Sequence, residues 1–171
     1  MKTTFIALAA LMISGGAIAQ SNPNDLSGVS LRLGLAFPLD NKLSGVNDNL
    51  TSLALEFQTP SSLIKNAETY VAIDYFSKNL GTFGKGSVIP VTFNARFMQK
   101  NDRNRQTYAF AGLGFAIVDL AGPTDTVVVA RGGLGMNVSD HTFLEAAGTF
   151  SAATNSSGSF NTLGIYFGYR F

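Results

Sequence analysis

The residues closest to a catalytic set lie side by side at Ser139, Asp140 and His141, and His141 is the sole histidine of the sequence. Serine, histidine and aspartate form hydrolytic triads, in which the base must contact the nucleophile while the acid orients the base. Three adjacent residues in a tight hairpin turn cannot adopt that geometry. A turn therefore explains this segment better than a catalytic site, and we expect no catalytic residues.

Motifs for metals and cofactors are weak. The segment 40–51 begins like a calcium loop, but Lys42 occupies a ligand position and Thr51 stands where a bidentate glutamate belongs. The glycine pairs in 112–114 and 133–135 lack the third glycine and the following helix of a dinucleotide-binding fingerprint. The chain has no cysteine. We therefore expect no cofactor and no metal, and read these glycines as making room for bulky neighbours.

Charged residues with a shared placement are more informative. Each stands at an alternate position among small residues, on the face opposite the large apolar side chains: Arg32, Glu56, Asp74, Arg96, Arg131, Glu145 and Arg170. Charges buried without partners are expensive, so four arginines and three carboxylates in one interior should neutralise one another. The pattern predicts a network of charges in the lumen of a closed sheet.

A period of two in the apolar residues predicts the elements that position these charges. In the segment 29–37 the odd positions are Val, Leu, Leu, Leu and Phe, whereas the even positions are Ser, Arg, Gly and Ala. Pleated strands place those sets on opposite faces. The same alternation predicts eight strands, at 29–37, 52–58, 71–76, 91–97, 108–117, 128–137, 142–151 and 163–171. The connectors between them are rich in turn residues.

The distribution of side chains distinguishes a soluble barrel from a membrane barrel. A soluble barrel carries lysine and glutamate on its outer face, yet no lysine lies in any of the eight predicted stretches. A transmembrane barrel has an apolar outer face and a narrow interior of small and mutually neutralising polar groups. The fold class predicted is all-β, an eight-stranded antiparallel up-and-down transmembrane β-barrel.

An export signal precedes the predicted barrel. Lys2 gives a positive start, the run 5–13 is apolar, and Ala17-Ile18-Ala19 is a small-x-small cleavage site. We expect a cleaved signal peptide at 1–19 and one barrel domain at 20–171. Without Lys2, 11 Lys and Arg residues balance 11 Asp and Glu residues. This neutrality removes the electrostatic case for binding nucleic acid.

The last residues carry a resemblance to a known family. The segment 165–171 ends on phenylalanine with aromatic residues at alternate places, and glycine-rich stretches occur at 111–115 and 133–140. In these features the sequence resembles the small eight-stranded bacterial outer-membrane barrels, the OmpA-like, OmpX-like and opacity-type barrels, without a periplasmic domain. The resemblance implies that Phe167, Tyr169 and Phe171 form the signal read by the barrel-insertion machinery.

The same resemblance implies a topology. If both termini face the periplasm, the extracellular connectors are 38–49, 77–87, 119–125 and 152–159, and the periplasmic ones are 59–68, 99–106 and 139–140. The outer loops are modest in length, which argues against adhesion or receptor roles that depend on extended loops.

Three classes of function follow from this reading. We expect a structural or envelope-associated, non-catalytic protein of the outer membrane, in contact with its lipids and monomeric. The alternative is a narrow pore for ions or small solutes, which the seven interior charges disfavour because they plug the lumen. A lipid-modifying enzyme is less favoured, because it needs a histidine near the outer leaflet and His141 falls at the predicted periplasmic end.

One contact can be predicted within the network. Arg131 and Glu145 lie on strands joined by the Ser139-Asp140 turn. If Val138 pairs with His141, Glu145 lies opposite Leu134, three residues from Arg131. A long arginine side chain can span that offset, so we expect the two charges to pair.

Overall fold

A computed structural model of the chain describes residues 28–39, 49–59, 64–79, 85–100, 106–119, 124–153 and 159–171. The predicted signal peptide at 1–19 lies outside these residues. Within this described part, no helix is long and apolar enough to cross a bilayer.

Eight β-strands make up the molecule, as the alternating pattern predicts. They are β1 (Val29–Pro38), β2 (Leu50–Gln58), β3 (Glu68–Asn79), β4 (Lys85–Lys100), β5 (Gln106–Asp119), β6 (Asp125–Asn137), β7 (Thr142–Ser151) and β8 (Asn161–Arg170). Each strand pairs antiparallel with the next, and β8 pairs antiparallel with β1, so the sheet closes into a barrel. The predicted eight-stranded antiparallel up-and-down barrel is confirmed.

Two strands extend well beyond their predicted ends. β3 and β4 have 12 and 16 residues, so lysines at 78, 85 and 100 fall in strands and not in connectors. The prediction started its fourth strand after Pro90, but Pro90 lies inside β4 and pairs with Ala116 of β5. Towards β3 the ladder is interrupted at Pro90, because proline has no N–H to donate.

The two faces of the sheet differ as the period of two requires. Large apolar side chains point outward on every strand and stay exposed, for example Leu33, Leu53, Tyr75, Phe93, Phe115, Val128, Leu144 and Phe167. Residues between them point into the lumen and are mostly buried. The barrel is therefore apolar outside, and its interior holds the charged residues.

One end of the lumen is filled by apolar side chains. Near the last residues of β1, β3 and β5, a cluster of buried residues fills the barrel: Ala36, Leu50, Phe76, Val88, Ala116, Val118, Val127, Val129 and Phe160. We call this cluster the apolar layer. The rings of Phe76 and Phe160 pack with centroids 5.1 Å apart. Each residue of the layer is 8% exposed or less, so this end is densely filled.

Glycines accommodate aromatic rings deeper in the lumen. Four buried aromatic residues each pair across strands with a glycine, and the pairs are Gly34–Tyr166, Gly133–Phe110, Gly135–Tyr108 and Gly168–Phe143. A Cβ placed on any of these glycines would meet the partner ring at 2.9 Å or less. The absence of a side chain on one strand therefore makes the space that the ring of its neighbour occupies.

Gly168→Ala tests this packing. The three atoms nearest an added Cβ at this position all belong to the ring of Phe143, which is completely buried. We expect a loss of about 1–3 kcal/mol in the free energy of unfolding, as for other overpacked cores. Urea unfolding in lipid vesicles measures the loss.

The matched control is Gly132→Ala. Gly132 faces outward, and an added Cβ meets only the carbonyl oxygen of Phe110, at 3.4 Å. This variant should stay close to the wild type. Equal unfolding free energies for the two alanine variants would contradict the proposed role of the inward glycines.

Candidate functional site

Six of the seven charges predicted for the lumen meet in the middle of the barrel. Each comes from a different strand and is 6% exposed or less: Arg32, Glu56, Asp74, Arg96, Arg131 and Glu145. We call these six residues the charge cluster. Three guanidinium groups face three carboxylates, so the cluster is formally neutral.

Arg32 lies at the centre of the charge cluster, with a side chain that is fully buried. Its Nη1 donates to Glu145 Oε2 at 2.7 Å, and its Nη2 donates to Asp74 Oδ1. Its Nε lies 3.7 Å from Glu56 Oε1. The guanidinium also stacks on the ring of Tyr166, 4.7 Å from the centroid. One cation therefore contacts all three carboxylates of the cluster.

Glu145 is the corresponding centre among the acids. Besides Arg32, its carboxylate accepts hydrogen bonds from Arg131 Nη2 and from the hydroxyl of Tyr108, each at 3.0 Å. Arg96 Nη2 lies 3.7 Å away and donates to Glu56 at 2.9 Å. The ion pairs thus form one connected network and not separate pairs.

The predicted contact between Arg131 and Glu145 exists, but in a different register. Glu145 pairs with Gly135, and not with Leu134 as predicted. Directly paired residues share a face, so inward Glu145 cannot pair with outward Leu134. The turn contains one residue more than predicted, because Val138 N–H donates to Thr142 O at 2.8 Å.

The polar residues at 139–141 have structural roles in the turn. Ser139 Oγ accepts hydrogen bonds from the backbone N–H groups of His141, at 3.3 Å, and Thr142, at 3.1 Å. The His141 ring contacts the carbonyl oxygen of Arg170 through Nδ1 at 3.0 Å and stacks on Tyr169. The serine hydroxyl therefore caps the turn, and the imidazole packs on the outer wall.

The seventh predicted charge, Arg170, lies apart from the charge cluster. It lies at the end of the lumen where Gly28 and Phe171 are found. A cavity of about 640 Å³ opens there. We call this cavity the vestibule. Its lining includes Gln58, Glu68, Tyr70, Gln106, Asn137 and Arg170. Arg170 Nη1 donates to Asn137 Oδ1 at 2.8 Å, and its guanidinium lies 4.5 Å from the ring centroid of Phe143.

The three residues of the predicted assembly signal lie on the outside of β8 and at its end. Phe167, Tyr169 and Phe171 are about half exposed, and the rings of Tyr169 and Phe171 pack edge to face at 5.2 Å. The N–H of Phe171 donates to Val29 O at 3.0 Å. Their recognition by an insertion machinery stays a prediction.

Sequence reasoning missed part of the interior. It described the inner face as small residues and charges, whereas aromatic rings surround the guanidinium groups. Arg96 lies between Tyr70 and Tyr108, 4.5 and 4.8 Å from their ring centroids. Arg131 lies 4.5 Å from the centroid of Phe110. For Tyr108 and Phe110, an aromatic residue opposite a glycine on the same face was the signal that could have revealed them.

The described ranges contain no group of three or more His, Cys, Asp and Glu side chains that could hold a metal ion. The carboxylates of the lumen have arginine partners, and a bound metal would have to displace those partners. The cluster is thus arranged for internal neutralisation.

No protein-family model and no curated protein matches the sequence. Solved structures do resemble it. The N-terminal β-barrel domain of Pseudomonas aeruginosa OprF is 13% identical, with a TM-score of 0.56 over 84% of this chain and 96% of that one. Neisserial surface protein A is 14% identical, with a TM-score of 0.53 over 85% of this chain and 98% of that one. The Yersinia pestis outer membrane protein Ail is 14% identical, with a TM-score of 0.51 over 85% of this chain and 99% of that one. At these identities the likeness shows the fold, that of the small eight-stranded outer-membrane barrels.

Arg32→Met tests the centre of the charge cluster. It leaves Asp74 without its only ion-pair partner in the described residues and removes contacts from Glu56 and Glu145. We expect a loss of about 3–5 kcal/mol in the free energy of unfolding, the usual result of stranding a buried charge. Urea unfolding in lipid vesicles is the measurement.

Arg131→Met is the matched comparison. Glu145 then keeps Arg32 and the hydroxyl of Tyr108, so the expected loss is smaller, about 1–3 kcal/mol. If both variants unfold at the wild-type urea concentration, water and not arginine neutralises these carboxylates, and the account of a dry cluster fails.

Proposed function

We propose that this chain, which has the fold of the small eight-stranded outer-membrane barrels, is a bacterial outer-membrane protein with a structural or envelope-associated, non-catalytic role. The observation that carries the proposal is the reversal of the usual distribution of side chains. Large apolar residues are exposed on the outside of all eight strands, while the three arginines and three carboxylates of the charge cluster are buried within.

An apolar belt of this kind suits a lipid environment. Leu113, Leu134 and Ile165 are each about two thirds exposed, and soluble monomers rarely expose large contiguous apolar patches. A transmembrane β-strand needs about 9–11 residues, and the strands here have 9 to 16. A closed barrel also leaves no unpaired edge, which a bilayer interior would not tolerate.

The proposal includes an orientation and partners. Both termini would face the periplasm, so that the vestibule opens to the periplasm and the apolar layer lies towards the cell exterior. The partners would be outer-membrane lipids on the apolar belt and the insertion machinery during biogenesis. We propose a monomer, since a closed barrel with a filled lumen needs no second copy to complete it.

The filled interior supports a role without conduction. A hydrated ion moving along the lumen would meet the neutral charge cluster and then the apolar layer, where every residue is 8% exposed or less. An ion in the apolar layer loses its water with no compensating ligand, at a cost of several kcal/mol. A narrow pore is therefore the less favoured alternative.

The absence of catalysis is supported by the surroundings of His141. Its ring is on the outer wall against Tyr169, while the hydroxyl of Ser139 is engaged with the turn backbone. The arrangement lacks the contact between nucleophile and base on which a lipid-modifying hydrolase depends.

Cell fractionation with heat-modifiable gel mobility tests location and assembly together. We expect the wild-type chain in the outer-membrane fraction as a compact band that shifts on boiling. Deleting Phe171 removes a half-exposed ring and the hydrogen bond to Val29 O, worth only about 2–4 kcal/mol. Because this loss is small, refolding in detergent should stay near normal. The yield in cells should fall severalfold, because the proposed assembly signal is lost.

Recovery of the wild-type chain in the soluble periplasmic fraction would contradict the proposed location. Equal, near-normal yields of the deletion variant in cells and in detergent would contradict the role of Phe171 as an assembly signal. Phe150→Ala, which removes an outward ring far from the chain end, controls for the loss of apolar surface.

Planar-bilayer recordings test the pore alternative. We expect no stepwise conductance from the folded barrel, because the apolar layer and the charge cluster fill successive levels of the lumen. A bilayer with an established open porin of larger strand number serves as the positive control. Reproducible unitary conductance from folded, heat-modifiable protein would contradict the proposal and favour the pore.

A further inference from the structure

Arg170 and Glu68 line the vestibule and lie outside the charge cluster. Arg32, Arg96 and Arg131 balance Glu56, Asp74 and Glu145 within the cluster. Arg170 forms no ion pair with any described residue, and its Nη2 has no hydrogen-bond partner there. Glu68 has only an ion pair to Arg96 at 3.8 Å, with 42% of its side chain exposed.

These two charges come from different walls of the vestibule. Glu68 is on β3 and Arg170 is on β8, and in the closed order of strands β1 and β2 separate them. Both residues line the same cavity. A cation and an anion, each with bonding capacity to spare, therefore face a common space from nearly opposite sides.

Tyr70, which also lines the vestibule, carries a buried polar group without a partner in the described part of the chain. The residue is 2% exposed, yet its hydroxyl has no hydrogen-bond partner among the described residues. Buried hydroxyls are normally satisfied, and an exception calls for a missing partner. Amide side chains complete the lining, with Gln58 on β2, Gln106 on β5 and Asn137 on β6.

We propose that the vestibule binds a small zwitterion of the amino-acid or short-peptide class, with Arg170 holding its carboxylate and Glu68 its ammonium group. The volume, about 640 Å³, lies within the usual range for small-molecule sites. The Tyr70 hydroxyl is the second donor to the ligand, and the amides contact its peptide groups. The inference rests on the proposed function in one respect: the proposed orientation makes the periplasm the side from which the ligand enters.

A simple anion fits this cavity less well. Glu68 and Asp140 share the lining with Arg170, so a ligand with negative charge alone would meet repulsion. A simple cation would meet Arg170 instead. A ligand with both charges satisfies both walls.

The test uses the folded full chain in detergent micelles, with glycylglycine as the probe and NMR shift changes as the signal. N-acetylglycine lacks the ammonium group, and glycinamide lacks the carboxylate. We expect saturable binding of glycylglycine, and binding of each analogue weaker by about tenfold or more, because each loses one charge-assisted contact.

Variants assign the two contacts. Arg170→Met should abolish the preference for glycylglycine over glycinamide, and Arg170→Lys should restore part of it. Glu68→Gln should abolish the preference over N-acetylglycine. Asp119→Asn, at the opposite end of the barrel on β5, should bind as the wild type does. Heat-modifiable mobility confirms that each variant is folded.

Absence of saturable binding by folded protein would overturn the proposal. So would N-acetylglycine or inorganic phosphate binding as tightly as glycylglycine, since that would indicate an anion site. Binding in detergent does not depend on location, so its failure is distinguishable from failure of the outer-membrane proposal, which fractionation decides.

Discussion

The Arg32 guanidinium must find its neutralising partners inside a barrel whose outer face is apolar. Water is excluded around its fully buried side chain, so only protein groups can compensate for the lost hydration. Carboxylates from β2, β3 and β7 supply that compensation. Because the charge cluster draws on six strands, closure of the barrel and neutralisation of its charges depend on each other.

The charge cluster lies between two ends of the lumen that differ in chemistry. On one side of the cluster the strands contribute apolar residues, which pack into a closed layer around Phe76 and Phe160. On the other side they contribute amides, a hydroxyl and the charges of Glu68 and Arg170 around an open cavity. The lumen therefore has one densely packed apolar end and one open polar end, the vestibule.

The sequence predicts the faces of the strands better than their contacts. A period of two assigns Arg131 and Glu145 to the interior regardless of register, because only parity matters. The register itself depends on turn length, and the observed turn at Ser139 is one residue longer than the predicted turn. The start of β4 before Pro90 was not predicted, because proline normally marks the end of a ladder. The pairing of Phe143 with Gly168 needed the register first.

A double-mutant cycle between Arg32 and Asp74 tests the central claim, that mutual neutralisation in a dry lumen holds the barrel together. Arg32→Met leaves an excess negative charge, whereas the double variant with Asp74→Leu returns to two arginines and two glutamates. We predict that the double variant recovers most of the stability lost by Arg32→Met, with a coupling energy above about 1 kcal/mol in urea unfolding from lipid vesicles. Losses that add within about 0.5 kcal/mol would contradict the claim.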